Sequence, residues 1–249
     1  MPLIADGKPD PRDAAVIGYL FKPAGEGPFP AVILMHGCDG LGWETLGKAS
    51  WFLHKSYAHR YVEHGYVALV LDSFRPRGVE AVCGKPFIVS PQRRVWDAYS
   101  AARVLGNQGF VDKSRIVLQG LSHGGWTVLM AMQQPAGVDL PEHFAAAIAW
   151  YPYCYPVRFF SAPLLILIGG SDDWTPSRRC EDMVRGLRRE SGDPDVVLDV
   201  YGDALHAYDY PYRARTNAIG HRMAYDAKAT DASWRAIDDF LARYVPARR

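Results

Sequence analysis

The sequence predicts an α/β fold, a mostly parallel central sheet of about seven to eight strands with helices on both faces. Two observations carry that expectation. Short β-branched or Leu-rich runs alternate along the chain with longer segments of helical character, and several of those runs are almost wholly apolar. A strand with one face in water alternates apolar and polar residues, so a continuously apolar strand is one covered on both faces, as parallel strands under crossover helices are.

The elements follow in order. Val16–Phe21 is mixed in polarity and reads as an edge strand. The Pro/Gly connector at 22–30 leads to Ala31–Met35, apolar throughout, and then to a long helical candidate, Trp43–His64. Tyr66–Leu71 is the next strand. Pro91–Gly106 is the clearest helix, with Val95, Tyr99, Ala102 and Leu105 recurring at steps of three and four. Strand Ile116–Gln119 precedes helix Gly124–Gln134; strands Phe144–Trp150 and Leu164–Ile168 follow, then helix Pro176–Ser191, the edge-like strand Val196–Tyr201 and a closing helix, Asp226–Arg243. No repeat or low-complexity tract interrupts them. Residues 1–249 read as one domain, with 1–14 irregular.

Composition narrows the function. The 249 residues are 49% apolar and 22% charged, with 28 Lys+Arg against 27 Asp+Glu for a net charge of +1. A chain this long buries about three-quarters of its unfolded surface and needs neither metal nor disulfide to hold a core. With a near-neutral net charge and no run of five like charges, it lacks a field for phosphate backbones, so nucleic acid is not an expected partner. The longest apolar stretches fall far short of the roughly 20 residues of a membrane helix, so no membrane partner is expected either. Met1–Pro11 holds no basic region followed by an apolar one, which points to a cytoplasmic protein. Cys38, Cys83, Cys154 and Cys180 match neither a CxxC motif nor a zinc ligand set and are expected to be free thiols, with one exception. Cys154 and Cys180 follow neighbouring segments of one sheet edge, within reach of a bridge that would favour a periplasmic or secreted origin.

Ligands of an open α/β sheet bind beyond the carboxyl ends of its strands. There the strongest signal is Gly120-Leu121-Ser122-His123-Gly124, a G-x-S-x-G between a strand and a helix. A strand turning sharply into a helix strains the middle residue, needs small neighbours two before and two after, and lifts the hydroxyl clear at a helix N-terminus. A serine is a weak nucleophile alone, so the chemistry requires an imidazole base and a carboxylate to orient it. Of eight histidines, His206 lies best, in the loop after Tyr201. The acid is expected after Ile168, in Gly169-Gly170-Ser171-Asp172-Asp173-Trp174-Thr175-Pro176. Asp172 is preferred, because Asp173 is placed to cap the next helix or bond within the turn. An oxyanion hole needs two backbone N–H groups: His123 supplies one, and Cys38 in His36-Gly37-Cys38-Asp39-Gly40 supplies the other. Nothing in this chemistry uses the Cys38 thiol, which reads as a small buried group.

With these residues in place, the chain resembles the dienelactone hydrolase family of α/β-hydrolases over nearly its full length. Four motifs carry the resemblance: His36-Gly37-Cys38 with Gly40, Gly120 to Gly125, Gly170 to Pro176, and His206-Ala207-Tyr208-Asp209. It implies an α/β-hydrolase fold with Ser122 as nucleophile, Asp172 as orienting acid, His206 as base, and the Cys38 and His123 amides as oxyanion donors. The family's namesake enzymes use a cysteine where this chain has Ser122 and a glutamate where it has Gly37. The chain is therefore similar to a serine-using branch, for which carboxylesterase or lactonase activity on a small-molecule ester is the expectation.

No insertion of cap size appears, so Ser73–Ser90 and the stretch from His206 to about Tyr225 are the expected walls. Arg75 and Arg77 are candidates to pair with a substrate carboxylate. Trp126, Trp174, Tyr153 and Tyr155 are candidates to line an apolar acyl pocket. No cofactor or metal is expected; neither H-E-x-x-H nor a phosphate-binding loop is present. A serine peptidase or amidase, and a catalytically silent binding protein on the same fold, are the competing readings.

Overall fold

The apolar runs become the interior of a seven-stranded sheet. The computed structural model describes residues 15–42, 45–133, 143–191, 195–211 and 214–247. The expected irregular segment 1–14 and the expected helix ends at Trp43 and Gln134 lie outside the described residues. In chain order the elements are β1 (Ile17–Phe21), β2 (Phe29–Met35), α1 (Thr45–Glu63), β3 (Val67–Asp72), α2 (Pro91–Gly106), β4 (Val111–Leu121), α3 (His123–Ala131), β5 (Ala146–Trp150), β6 (Leu164–Gly169), α4 (Ser177–Ser191), β7 (Val196–Tyr201), β8 (Arg215–Thr216), β9 (Arg222–Met223) and α5 (Ala227–Tyr244).

The sheet order is β1-β3-β2-β4-β5-β6-β7; β1 runs antiparallel to β3 and every other pair is parallel. β3, β5 and β6 are buried at every residue, whereas the edges β1 and β7 are exposed or half-buried at all but Val196. Polarity thus sorted the strands correctly. It missed the first half of β4, where Asp112, Lys113, Ser114 and Arg115 face outward in a polar extension whose start pairs Val111 with Phe29. It also missed the β8–β9 hairpin, whose strands have two residues each and show no alternation.

Local signals end the helices where expected. Ser90 caps α2 by accepting the Arg93 amide, with Pro91 as first residue, and Asp226 caps α5 by accepting the Ala229 amide at 3.0 Å. Pro176 precedes α4 rather than opening it, and its carbonyl accepts the Arg179 amide at 3.0 Å.

Because β2 to β7 are parallel, the loops after Met35, Asp72, Leu121, Trp150, Gly169 and Tyr201 all leave one edge of the sheet. Two disulfides tie those loops. Cys154–Cys180 forms as anticipated, with Cα atoms 5.0 Å apart. Cys38 and Cys83 are not free thiols: they are bonded, with Cα atoms 4.7 Å apart. The reason is the sheet order, which makes β2 and β3 neighbours and brings the segments that follow them together. Among the described residues no cysteine is free and no helix is long and apolar enough to cross a membrane.

Titration with a thiol reagent in denaturant checks both bridges. The expected outcome is no free thiol before reduction and all four cysteines after it; two or more thiols before reduction contradict the pairing.

Candidate active site

The turn from β4 into α3 contains no spare residue. Ser122 sits at φ 53° and ψ −111°, in backbone space that side chains rarely occupy. Its neighbours must be glycine. A Cβ on Gly120 would lie 2.3 Å from the Gly124 carbonyl oxygen, and one on Gly124 would lie 2.4 Å from that of Met35. The Ser122 amide donates to Trp150 O at 2.9 Å, and Ser122 O accepts the Trp126 amide at 2.8 Å. Both bonds fix the serine at the top of the sheet.

Its hydroxyl faces an imidazole. Ser122 Oγ lies 3.0 Å from His206 Nε2, and His206 Nδ1 lies 2.7 Å from Asp172 Oδ2. The ring packs between Tyr151 and Trp174, at centroid distances of 4.7 and 4.8 Å. Asp172 is saturated with donors: the Trp174 and Thr175 amides reach Oδ1 at 2.8 Å each, and the Thr175 hydroxyl reaches Oδ2 at 2.9 Å. Burial pushes this carboxyl up, but His206 and the Thr175 bonds outweigh it and hold it below the usual carboxylate range. The acid is therefore an anion when it meets the imidazole. Asp173 turns away and does neither task considered for it. It accepts from the backbone and side chain of Arg222, at 3.2 and 3.1 Å, and lies 3.3 Å from His221 Nδ1, pinning the β8–β9 hairpin.

His123 sends its side chain away from Ser122. Nε2 donates to Pro86 O at 2.9 Å and Nδ1 accepts from Arg94 Nη1 at 2.7 Å. Burial first, then the Arg94 charge, lowers it to about 3, so the ring is neutral and the tautomer is set by its partners. Cys38 is not an isolated small thiol; its bridge to Cys83 lines the cleft on both sides of Ser122.

On one side of that bridge lies a cavity of about 100 Å³, walled by Leu121, Tyr151, Trp174 and the hairpin residues Ile219 and Met223. On the other, Phe87, Trp126, Tyr153 and Trp174 line an open aromatic groove. Three of the four expected aromatics thus converge on Ser122. Tyr155 instead accepts a bond from Gln133 at 2.5 Å. Arg75 and Arg77 line neither space: Arg75 binds Asp72 and Tyr19, and Arg77 grips Asp97 through two bonds of 2.9 and 2.7 Å. They sit in a tight turn that folds back over the end of β3, which gives each guanidinium an acid of its own.

Sequence reasoning passed over several contributors. Thr175, Tyr151 and Arg94 support the site from beneath. Asp209, in the motif after His206, accepts the hydroxyls of Tyr57 and Tyr151, and burial raises it to about 6. Asp39 accepts Tyr210 OH at 3.1 Å and is likewise raised to about 6, mainly by burial. Tyrosines spaced far apart in the chain gave no sign of this cluster.

A parallel sheet in this order, with a strained serine elbow and the Ser122, His206 and Asp172 side chains in contact at its carboxyl edge, defines an α/β-hydrolase. The dienelactone hydrolase family model matches residues 16–245. A Salmonella typhimurium protein named "Putative carboxymethylenebutenolidase" is 30% identical over 248 residues, covering 91% of this chain and 82% of its own length. Among solved structures, the dienelactone hydrolase-like promiscuous phosphotriesterase P91 from metagenomic libraries superposes with TM-score 0.70 at 21% identity, over 93% of each chain. Thermogutta terrifontis esterase 2, solved with propionate bound, gives 0.68 at 19%, over 93% of this chain and 91% of that one. The chain belongs to the dienelactone hydrolase family and is a carboxylic ester hydrolase.

The buried acid next to His206 makes a pH prediction. Asp209 titrates near 6 when folded and at its ordinary, lower value when unfolded, so the folded state holds the proton more tightly. Its contribution to stability is complete below the unfolded value and is lost as pH rises through about 6. Asp209→Asn should therefore gain on the wild type across that window, by about 1.4 kcal/mol per unit of pKa difference, and then run parallel to it. Chemical denaturation from pH 4 to 8 measures this. A difference that does not change with pH contradicts it.

Proposed function

We propose that the chain hydrolyses small, uncharged carboxylic esters or lactones through an acyl-enzyme on Ser122. The observation that carries this reading is the unbroken chain from Ser122 Oγ through the His206 ring to Asp172, with links of 3.0 and 2.7 Å, beside a mainly apolar cleft. Asp172 keeps the proton on Nδ1, leaving the Nε2 lone pair directed at the hydroxyl. His206 takes that proton as Oγ attacks the carbonyl carbon, and the carbonyl oxygen becomes the tetrahedral anion. The Cys38 and His123 amides receive it. Collapse expels the alkoxide, which takes the proton from Nε2, and leaves the acyl group on Oγ. A water molecule, deprotonated by His206, then repeats the sequence and releases the acid. In a lactone, the expelled alkoxide stays attached to the acyl group, so the product is a single hydroxy acid.

The relatives' names favour a lactone or simple ester over an amide. The walls are mainly apolar, with Arg215 and Asp39 as their charged members, and favour an acyl part without charge, with Trp126, Trp174 and Tyr153 as contact surfaces; Arg75 and Arg77, once expected to meet a carboxylate, are engaged elsewhere. Two disulfides favour work in an oxidising compartment. A peptidase needs the leaving amine protonated but could use the same triad, so the substrate test must include one amide.

Turnover of p-nitrophenyl acetate and of an aminoacyl anilide by the wild type, Ser122→Ala and Asp172→Asn decides among the readings. The expected result is ester turnover with little anilide turnover, a loss on the order of 10⁴-fold or more for Ser122→Ala and about 10⁴-fold for Asp172→Asn. Faster anilide cleavage would favour a peptidase. No turnover of either, with a folded wild type, would leave only a silent scaffold.

A further inference from the structure

A positive charge lies buried beneath the proposed oxyanion hole, and the mechanism above does not use it. Arg94 stands on the inner stripe of α2 with Ala98, Ala101 and Leu105, and its side chain is fully buried. Its guanidinium makes two directional bonds, and both acceptors are neutral. Nη1 donates to His123 Nδ1 at 2.7 Å, and Nη2 donates to the His36 carbonyl at 2.8 Å. The Phe74 ring lies 5.0 Å from its carbon. Asp97, an acid on the same helix, is taken up by Arg77.

The two acceptors belong to the two halves of the hole. His36 opens the turn that carries the Cys38 amide, and His123 carries the other amide itself. The Cys38 N–H shares a peptide plane with the Gly37 carbonyl, and a trans peptide points these groups in opposite directions. His36 Nδ1 donates to that carbonyl at 2.7 Å, and the Ser73 amide donates to His36 Nε2 at 3.3 Å. Holding His36 therefore aims the Cys38 N–H. On the other half, Ser122 O shares a plane with the His123 N–H, and the His123 ring is locked between Arg94 and Pro86. One guanidinium thus spans two segments that the β2–β4 ladder and the close approach of Gly124 to Met35 and His36 also hold together.

We propose that Arg94 is a positioning residue for ester hydrolysis: it locks the Cys38 and His123 amides in one relative geometry and places a positive charge behind the oxyanion they receive. The inference rests on the acyl-enzyme reading of the site. Asp97, Asp72 and Asp39 lie near enough to favour the Arg94 charge, but none bonds it, and a buried guanidinium bonded only to neutral acceptors remains an expensive feature for stability alone; an apolar side chain of similar length would fill the space at lower cost. Burial lowers Arg94 to about 9, which leaves it charged at neutral pH. The charge becomes useful when a negative oxygen forms nearby in a site that excludes water. Methionine at 94 would keep the volume and remove both bonds. Lysine would keep the charge and one bond, because an ammonium on a linear stem does not reproduce the planar fork.

The test is kcat for p-nitrophenyl acetate per active site, with sites counted by stoichiometric fluorophosphonate labelling, in Arg94→Met and Arg94→Lys. Counting sites removes any loss caused by misfolding. The expected result is a fall of about 100-fold for Met with KM changed only a few-fold, and a smaller fall of about tenfold for Lys. Affinity for a trifluoromethyl ketone, which forms an oxyanion on Ser122, should fall in step with kcat. Should Met fail to fold, Lys with the ketone measurement decides alone. A kcat per site within about twofold of wild type in either folded variant overturns the inference, as does a loss confined to KM. Ser122→Ala separates the two levels: if it is dead while the Arg94 variants are normal, only the positioning role fails, and if it turns over normally, the acyl-enzyme reading fails and this inference with it.

Discussion

The strained backbone at Ser122 is the constraint on which the rest of the site depends. A residue held at φ 53° costs of order 1–3 kcal/mol, so the surroundings must leave it no alternative. They do so through contact. The Gly124 backbone is pressed against Met35 and His36, the last residue of β2 and the first of the turn proposed to bind the oxyanion. A side chain at Gly124 would push the elbow off β2, and one at Gly120 would push the start of α3 away from the end of β4. The Ser122 elbow and the turn proposed to bind the oxyanion are therefore one packed unit.

Charge around this unit is handled in two ways. Asp172 is stabilised as an anion by four short contacts and can hold His206 in one orientation and tautomer. Asp209 and Asp39, one step further out, are met by tyrosine hydroxyls and shifted upward by burial. The first arrangement suits a group that must stay ionised through a reaction, and the second suits groups that brace the walls. Asp173 and the Cys38–Cys83 bridge do similar bracing for the hairpin and for the segment carrying Phe87, so among the described residues the cleft is walled by short cross-linked loops.

Much of this was legible in the chain. Continuous apolar runs announced β2, β3, β5 and β6, and the elbow glycines announced Ser122, because both follow from local geometry that sequence states directly. His206 and Asp172 could be placed because a parallel sheet delivers all its loops to one edge. What escaped was whatever depends on partners distant in sequence. Cys38 and Cys83 meet only because β2 and β3 are adjacent. Arg75 and Arg77 looked available until the turn at the end of β3 returned them to Asp72 and Asp97. Arg94 carried one unread signal, a cation on the same helical stripe as Ala98, Ala101 and Leu105, where burial without a polar function would be costly.

The central claim is covalent, and intact-mass spectrometry reads it directly. The protein, mixed with excess p-nitrophenyl acetate and quenched in acid within the first turnovers, should carry one acetyl group, mapped by peptide fragmentation to Ser122 and absent from Ser122→Ala. Steady ester hydrolysis with no adduct on the quenched protein, or an acetyl group mapped to another residue, would contradict the account.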